Sequence, residues 1–279
     1  MGLGRTKIGG DIDMPPSVIP PKVCWMTLSY DMAGDGPVLV LLHSGVCDRR
    51  MWDPQWSVLL DAGYRVVRCD FRGFGESPVA DRPYDNAEDV VDLLGNLGIE
   101  RAALVGSSYG GQVAMEVAAR QPDMVTALVL LCSALPGHVP SDVLRSFAER
   151  EEALIEAGDI AGAVDLNVEN WLGPEADDTV RERVRRMQRR AFDVQLAAAE
   201  EFAPTEAEVD LSLIKASCLV LSGGHDLADF QEIAARLPEQ LADARHRELP
   251  WAGHLPSLER PAEVTDLLIR FLRATVPAR

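Results

Sequence analysis

The sequence predicts an α/β fold, a mostly parallel β-sheet flanked by helices with a helical cap inserted late in the chain. Three observations predict it. Wholly apolar runs such as Val38 to Leu42 and Ala102 to Val105 read as strands buried on both faces. Helical patterns separate most of these runs, and strands alternating with helices give parallel strands covered on both sides. From about residue 136 to 204 the pattern is helical only, so a layer of helices interrupts the alternation.

Taken in order, residues 1–21 carry Pro15, Pro16, Pro20 and Pro21 and read as an N-terminal arm. Val23 to Met26 and Leu28 to Met32 are expected as short strands, and Gly34-Asp35-Gly36-Pro37 as a turn into Val38 to Leu42. Tyr64 to Cys69, Ala102 to Val105 and Ala127 to Cys132 continue the strand series, and Cys218 to Leu221 and His246 to Leu249 resume it after the interruption. The expected division is a core of residues 22–135 and 205–279 with a cap of residues 136–204 after the sixth strand. Within the cap, Ser141 to Ala157 and Asp178 to Phe202 read as helices. In the second, Val180, Val184, Met187, Ala191, Val194 and Ala198 form one apolar stripe. A cap at this point of the chain lies over the carboxyl ends of the strands, where open α/β sheets bind ligands. Ala262 to Thr275 is expected to close the chain as a helix.

A chain of 279 residues with 47% hydrophobic content suits one substantial domain with an insertion. Its 27 Lys and Arg against 44 Asp and Glu, a formal charge of -17, argue against a nucleic-acid partner. Cys24, Cys47, Cys69, Cys132 and Cys218 are odd in number, widely spaced and mostly set in apolar runs, the pattern of a reduced, cytoplasmic protein. No stretch approaches the roughly 20 apolar residues of a spanning helix. Met1-Gly2-Leu3-Gly4-Arg5-Thr6 matches a myristoylation pattern, but nothing else points to a membrane.

The chemistry centres on Gly106-Ser107-Ser108-Tyr109-Gly110-Gly111, between the strand ending at Val105 and a helical stretch from Gln112 to Ala119. A sharp strand-to-helix turn needs small flanking residues and holds its central residue strained, with the hydroxyl exposed. Gly106 and Gly110 frame Ser108, whereas Ser107 is framed by Val105 and Tyr109's side of the turn offers it no glycine pair. G-x-S-x-G alone is a weak signal in a chain with 22 glycines. Four further segments strengthen it. His43-Ser44-Gly45-Val46 follows a buried strand and can aim the Gly45 amide, or Val46 in second place, at a reacting carbonyl together with the Tyr109 amide. Asp70-Phe71-Arg72-Gly73-Phe74-Gly75-Glu76-Ser77 reads as structural, with Asp70 and Arg72 tying loops. Ser222-Gly223-Gly224-His225-Asp226 puts the Asp226 carboxylate at the sheet edge. Trp251-Ala252-Gly253-His254 supplies a general base. A serine hydroxyl needs a base to take its proton, and the base needs a third group to fix its tautomer. Ser108, Asp226 and His254 supply the three.

With these motifs in register from about Leu28 to Leu272, the chain resembles a capped, single-domain α/β-hydrolase fold enzyme. The resemblance implies an eight-stranded sheet whose second strand is antiparallel, acylation of Ser108 followed by deacylation by water, and no metal or organic cofactor. Relatives that open epoxides or remove halides carry aspartate where this chain has Ser108, which disfavours those activities. The family often has His-Gly where this chain has His43-Ser44-Gly45.

Asp229 is the rival to Asp226 as acid, or else a cap for a helix starting near Phe230. His43 reads as a brace for the oxyanion loop. His138 stands where the cap begins and is a candidate substrate contact, as are Val46, Trp52, Trp171, Met187 and Phe192, for which core or cap packing is the default. His225, Asp226 and Asp229 could be imagined as metal ligands, but no His or Cys spacing supports zinc. The arginines from Arg181 to Arg190 read as a solvated helix face with Glu182 and Arg186 paired. The leading expectation is a serine hydrolase for a small carboxylic ester or lactone. The alternatives are a carbon–carbon bond or amide/peptide hydrolase with the same triad, and a non-catalytic small-molecule receptor or cyclase-like tailoring protein. The partner expected is a small-molecule substrate; the sequence leaves a homodimer open.

Overall fold

A computed structural model describes residues 28–200, 202–205 and 208–276. The N-terminal arm, the expected strand Val23 to Met26, Cys24 and the Met1 to Thr6 pattern lie outside the described residues. The described residues form seven strands: β1 (Tyr30–Ala33), β2 (Val38–Leu42), β3 (Arg65–Cys69), β4 (Ala102–Ser107), β5 (Val125–Leu131), β6 (Ser217–Gly223) and β7 (Ala244–Leu249). They form one sheet in the order β1-β3-β2-β4-β5-β6-β7. β1 runs antiparallel to β3, and every other neighbouring pair is parallel. The sequence expectation was eight strands with the cap after the sixth. Among the described residues there are seven, and the helical insertion follows the fifth, a difference of the one strand expected at Val23 to Met26.

The helices are α1 (Asp53–Asp61), α2 (Asn86–Asn96), α3 (Tyr109–Arg120), α4 (Asp142–Glu156), α5 (Ile160–Trp171), α6 (Asp178–Gln195), α7 (Ala228–Gln240), α8 (Pro256–Glu259) and α9 (Pro261–Thr275). The apolar runs are buried on both faces because successive side chains point to opposite sides of the sheet. In β2, Val40 and Leu42 join Val90, Val113, Val117 and Ile233 of α2, α3 and α7, while Leu39 and Leu41 join Leu59, Leu268 and Leu272 of α1 and α9. Trp171, Val184 and Met187 of the insertion continue the second of these layers.

The insertion comprises α4, α5 and α6, each opened by a side-chain cap: Ser141 Oγ accepts the Leu144 amide, Asp159 the Gly162 amide and Asp177 the Val180 amide. The expected helix Asp178 to Phe202 stops at Gln195. Its alanine-rich tail favours helix, but the Gln195 side-chain amide donates to the Gly73 carbonyl at 3.3 Å, and the chain turns there toward the bridge between Pro204 and Tyr84. Tertiary contact overrides local propensity. Several of the α6 arginines have partners that fix them: Arg185 meets Asp165 on α5 at 2.8 Å, Arg189 meets Asp193, and Arg190 donates to the Gly75 carbonyl. Glu182 pairs with Arg185 rather than the expected Arg186, because Arg185 already leans toward Asp165.

Candidate active site

β4 runs straight into α3, and the reversal is concentrated at Ser108. Its backbone sits at φ 53° and ψ -116°, a left-handed conformation that a side chain rarely adopts. The close approach of chain to chain explains the flanking glycines. A Cβ on Gly106 would stand 2.2 Å from the Gly110 carbonyl oxygen, and one on Gly110 would stand 2.4 Å from that of Leu42. The turn is tied to the neighbouring strand: Ser108 donates its amide to Leu131 at 2.9 Å and accepts from Ala134 at 3.1 Å.

The loop after β2 lies against this turn, since a Cβ on Gly45 would meet Tyr109 Cβ at 3.7 Å. Cys47 donates to the Ser44 carbonyl, closing a tight turn with Gly45 and Val46 at its centre. His43 fixes this loop. Its Nδ1 faces the Ser44 carbonyl at 2.8 Å and its Nε2 accepts the Phe71 amide at 2.9 Å, which places the ring proton on Nδ1. Complete burial lowers its pKa and keeps the ring neutral. Tyr109 is the first residue of α3, so its amide has no acceptor within the helix.

Asp226 and His254 meet across the ends of β6 and β7. His254 Nδ1 lies 2.8 Å from Asp226 Oδ2, and the Leu227 amide donates to Oδ1 at 2.8 Å. Both side chains are almost wholly buried. The imidazole is walled by the rings of Trp171 and Phe230, with centroids at 4.6 and 4.2 Å, and the His254 amide donates to the Trp171 carbonyl. Helix α5 of the insertion therefore ends directly on the histidine.

Asp229 has a different office. It accepts from the Ser141 amide at 2.7 Å and the Ser141 hydroxyl at 2.6 Å, and faces His138 Nε2 at 2.9 Å. It neither orients His254 nor caps α7; it moors the start of the insertion. His138, a candidate substrate contact, is occupied by this mooring and lines a cavity of about 660 Å³ with Gln112, Leu135, Glu208 and Val209. Phe192 lines another, of about 600 Å³, together with Arg72, Phe74, Tyr84, Glu151 and Ile155. Trp52 is fully buried and Met187 nearly so, both in the layer shared by the insertion and the core, because the 3-10 turn at Arg49–Trp52 and the apolar stripe of α6 face inward. Val46 packs at the edge of the same layer. Asp70 ties loops as expected, accepting from the Arg49 and Glu76 amides, whereas Arg72 fastens its loop to helix α2, gripping Asp89 with two nitrogens at 2.6 and 2.7 Å.

The match to the family model described as the alpha/beta hydrolase family spans residues 39–267. This chain belongs to that family. Among relatives of this alpha/beta hydrolase, the "Putative carbamate hydrolase RutD" of Variovorax paradoxus is 31% identical over 90% of this chain and 98% of its own length. The 2-hydroxy-6-oxo-6-phenylhexa-2,4-dienoate hydrolase of Comamonas testosteroni is 27% identical over 88% of this chain and 91% of its own. In structure, a thermophilic esterase from Thermogutta terrifontis aligns over 89% of this chain and 93% of its own with TM-score 0.72 and 26% identity. No helix among the described residues is long and apolar enough to cross a membrane.

Two residues of this alpha/beta hydrolase escaped sequence reasoning. Glu259 accepts the amides of Gly173, Gly253 and Leu255 and so holds the histidine loop; burial raises its pKa, and those amides oppose the shift. Its position five residues after His254 is a signal only once the loop is seen to fold back. Cys132 follows β5 as Ser108 follows β4. Its Sγ, a carboxylate oxygen of Asp226 and a ring nitrogen of His254 all lie within 4.8 Å of one another, a donor set capable of holding a metal ion. Asp226 and His254 are, however, already bonded to each other.

Proposed function

We propose that this alpha/beta hydrolase is a serine hydrolase that cleaves a small carboxylic ester or lactone through an acyl-serine intermediate. The observation that carries the reading is a strained serine at the carboxyl end of β4 and, beyond the intervening β5, a buried 2.8 Å His254–Asp226 pair after the same ends of β6 and β7. In this reading α4, α5 and α6 form the cap, residues 136–204, over a core of residues 22–135 and 205–279. Ser108 Oγ attacks the carbonyl carbon while His254 Nε2 takes its proton. Nε2 is the free nitrogen because Nδ1 faces Asp226. The negative charge developing on the carbonyl oxygen is received by the amides of Tyr109 and Gly45, and Asp226 stabilises the imidazolium. His254 returns the proton to the departing alkoxide and then takes one from water, whose oxygen attacks the acyl carbon; as that second tetrahedral intermediate collapses, His254 gives this proton to Ser108 Oγ and the acid is released. Every step runs on groups of this chain and water.

Labelling by a fluorophosphonate probe and turnover of a panel of short esters and lactones test the reading. Ser108→Ala is expected to abolish labelling and lower kcat/KM by about 10⁴-fold or more. Wild-type turnover by that variant would overturn it. The names of the relatives favour a second reading in which the same groups cleave a carbamate or a carbon–carbon bond next to a ketone. Turnover of those substrates at a higher kcat/KM than any ester or lactone would replace the first.

A further inference from the structure

Among the described residues, only Ser108 and Cys132 combine a side chain with a left-handed backbone, at φ 53° and 45°. Such strain costs free energy and persists where the surroundings enforce it, most often at working sites. The two residues follow neighbouring parallel strands and are stitched to one framework: Ser108 donates to Leu131, the residue before Cys132, and Cys132 donates to Leu221 of β6 at 2.8 Å. At a left-handed position glycine would be unstrained. What cysteine adds is a thiol, and the thiol has no exposure at all. Sγ stands 3.7 Å from the Gly253 carbonyl, the residue before His254, and within 4.8 Å of both the Asp226 carboxylate and the His254 ring. Burial, reinforced by the charge on Asp226, pushes the thiol pKa well up, so the group is an S–H donor and not a nucleophile.

We propose that Cys132 is a positioning residue, whose S–H, shared between the Gly253 carbonyl and the Asp226 carboxylate, holds the acid and the histidine loop in the register that Ser108 needs. The proposal rests on Ser108, Asp226 and His254 acting as assigned above. It gives the β5 end a task in the reaction: one short segment, Leu131 to Ala134, fastens the serine turn on one side and the acid–base pair on the other. The weak thiol donor suits this place, because it steadies the carboxylate without withdrawing its charge from the imidazolium.

The test compares Cys132→Ala, Cys132→Gly and Cys132→Ser on the best ester substrate, with thermal unfolding and the low-field proton resonance of the His254 Nδ1–H followed in parallel. Expected are a fall in kcat of about tenfold for the alanine and glycine variants, the order of one lost hydrogen bond to a charged group, with KM within about twofold. Cys132→Ser, which keeps a donor, is expected to recover kcat to within about threefold. The low-field resonance is expected to shift or broaden in the alanine and glycine variants and to return in the serine variant. If Cys132→Ala fails to fold, Cys132→Gly carries the comparison, since glycine accepts this backbone without strain. Wild-type kcat in the glycine variant, or a loss that serine does not restore, would overturn the proposal. Persistent turnover in Ser108→Ala would instead overturn the triad assignment, whatever the Cys132 variants do.

Discussion

Replacing Ser108 by glycine should make the protein more stable while abolishing its activity. The side chain at φ 53° is held in a conformation that costs on the order of 1–3 kcal/mol for a residue with a Cβ. Glycine removes that cost but adds roughly 0.4–1 kcal/mol of backbone freedom to the unfolded chain. At the midpoints of these ranges the balance is a gain of about 1.3 kcal/mol, which at roughly 2–4 °C per kcal/mol raises Tm by about 3–5 °C. Ser108→Ala is the control, since it also loses the hydroxyl but keeps the Cβ and with it the strain. Both variants should be inactive, so any difference between them reports the backbone alone. Urea unfolding and thermal scans of wild type, Ser108→Ala and Ser108→Gly measure it. A glycine variant no more stable than the alanine variant would refute the view that the serine turn stores strain.

Gly110→Ala puts a methyl group 2.4 and 2.6 Å from the Leu42 and His43 carbonyl oxygens and should cost about 1–3 kcal/mol in thermal unfolding, with loss of turnover as the serine turn moves. His43 has its pKa lowered by burial, so its contribution to stability is complete above the unfolded value of 6.5 and is lost as the pH falls below it. His43→Asn should therefore flatten the stability profile below pH 6.5 by up to about 1.4 kcal/mol per pH unit; parallel wild-type and variant slopes in urea titrations would count against this. Asp229→Ala removes three hydrogen bonds from the start of the insertion, and hydrogen exchange at residues 138–145 should accelerate about tenfold or more while the β4 amides keep their rates. Glu259→Gln keeps an acceptor for the histidine loop and should retain more kcat than Glu259→Ala, by about fivefold in steady-state assays.

Residue type and order alone determined a good deal about this protein. Unbroken apolar runs specify strands buried on both faces, as at Leu39 to Leu42, and the paired glycines around one serine specify a sharp turn whose flanking positions have no room for a Cβ. The choice of Asp226 over Asp229 was legible because one falls in the loop just after a strand and the other in the first turn of α7. Only the tertiary structure decided what Asp229, His138, Glu259 and Cys132 do. Each acts on a partner distant in sequence: Asp229 on Ser141, Glu259 on Gly173, Cys132 on Gly253. Local pattern sets which face of an element is apolar, but the pairing of polar groups across elements depends on how the folded sheet brings their ends together. The end of α6 shows the same division, since its alanines favour helix and the contact of Gln195 with Gly73 stops it. The chemistry of the site is written in short motifs, whereas its support is distributed over residues that become neighbours only in the packed chain.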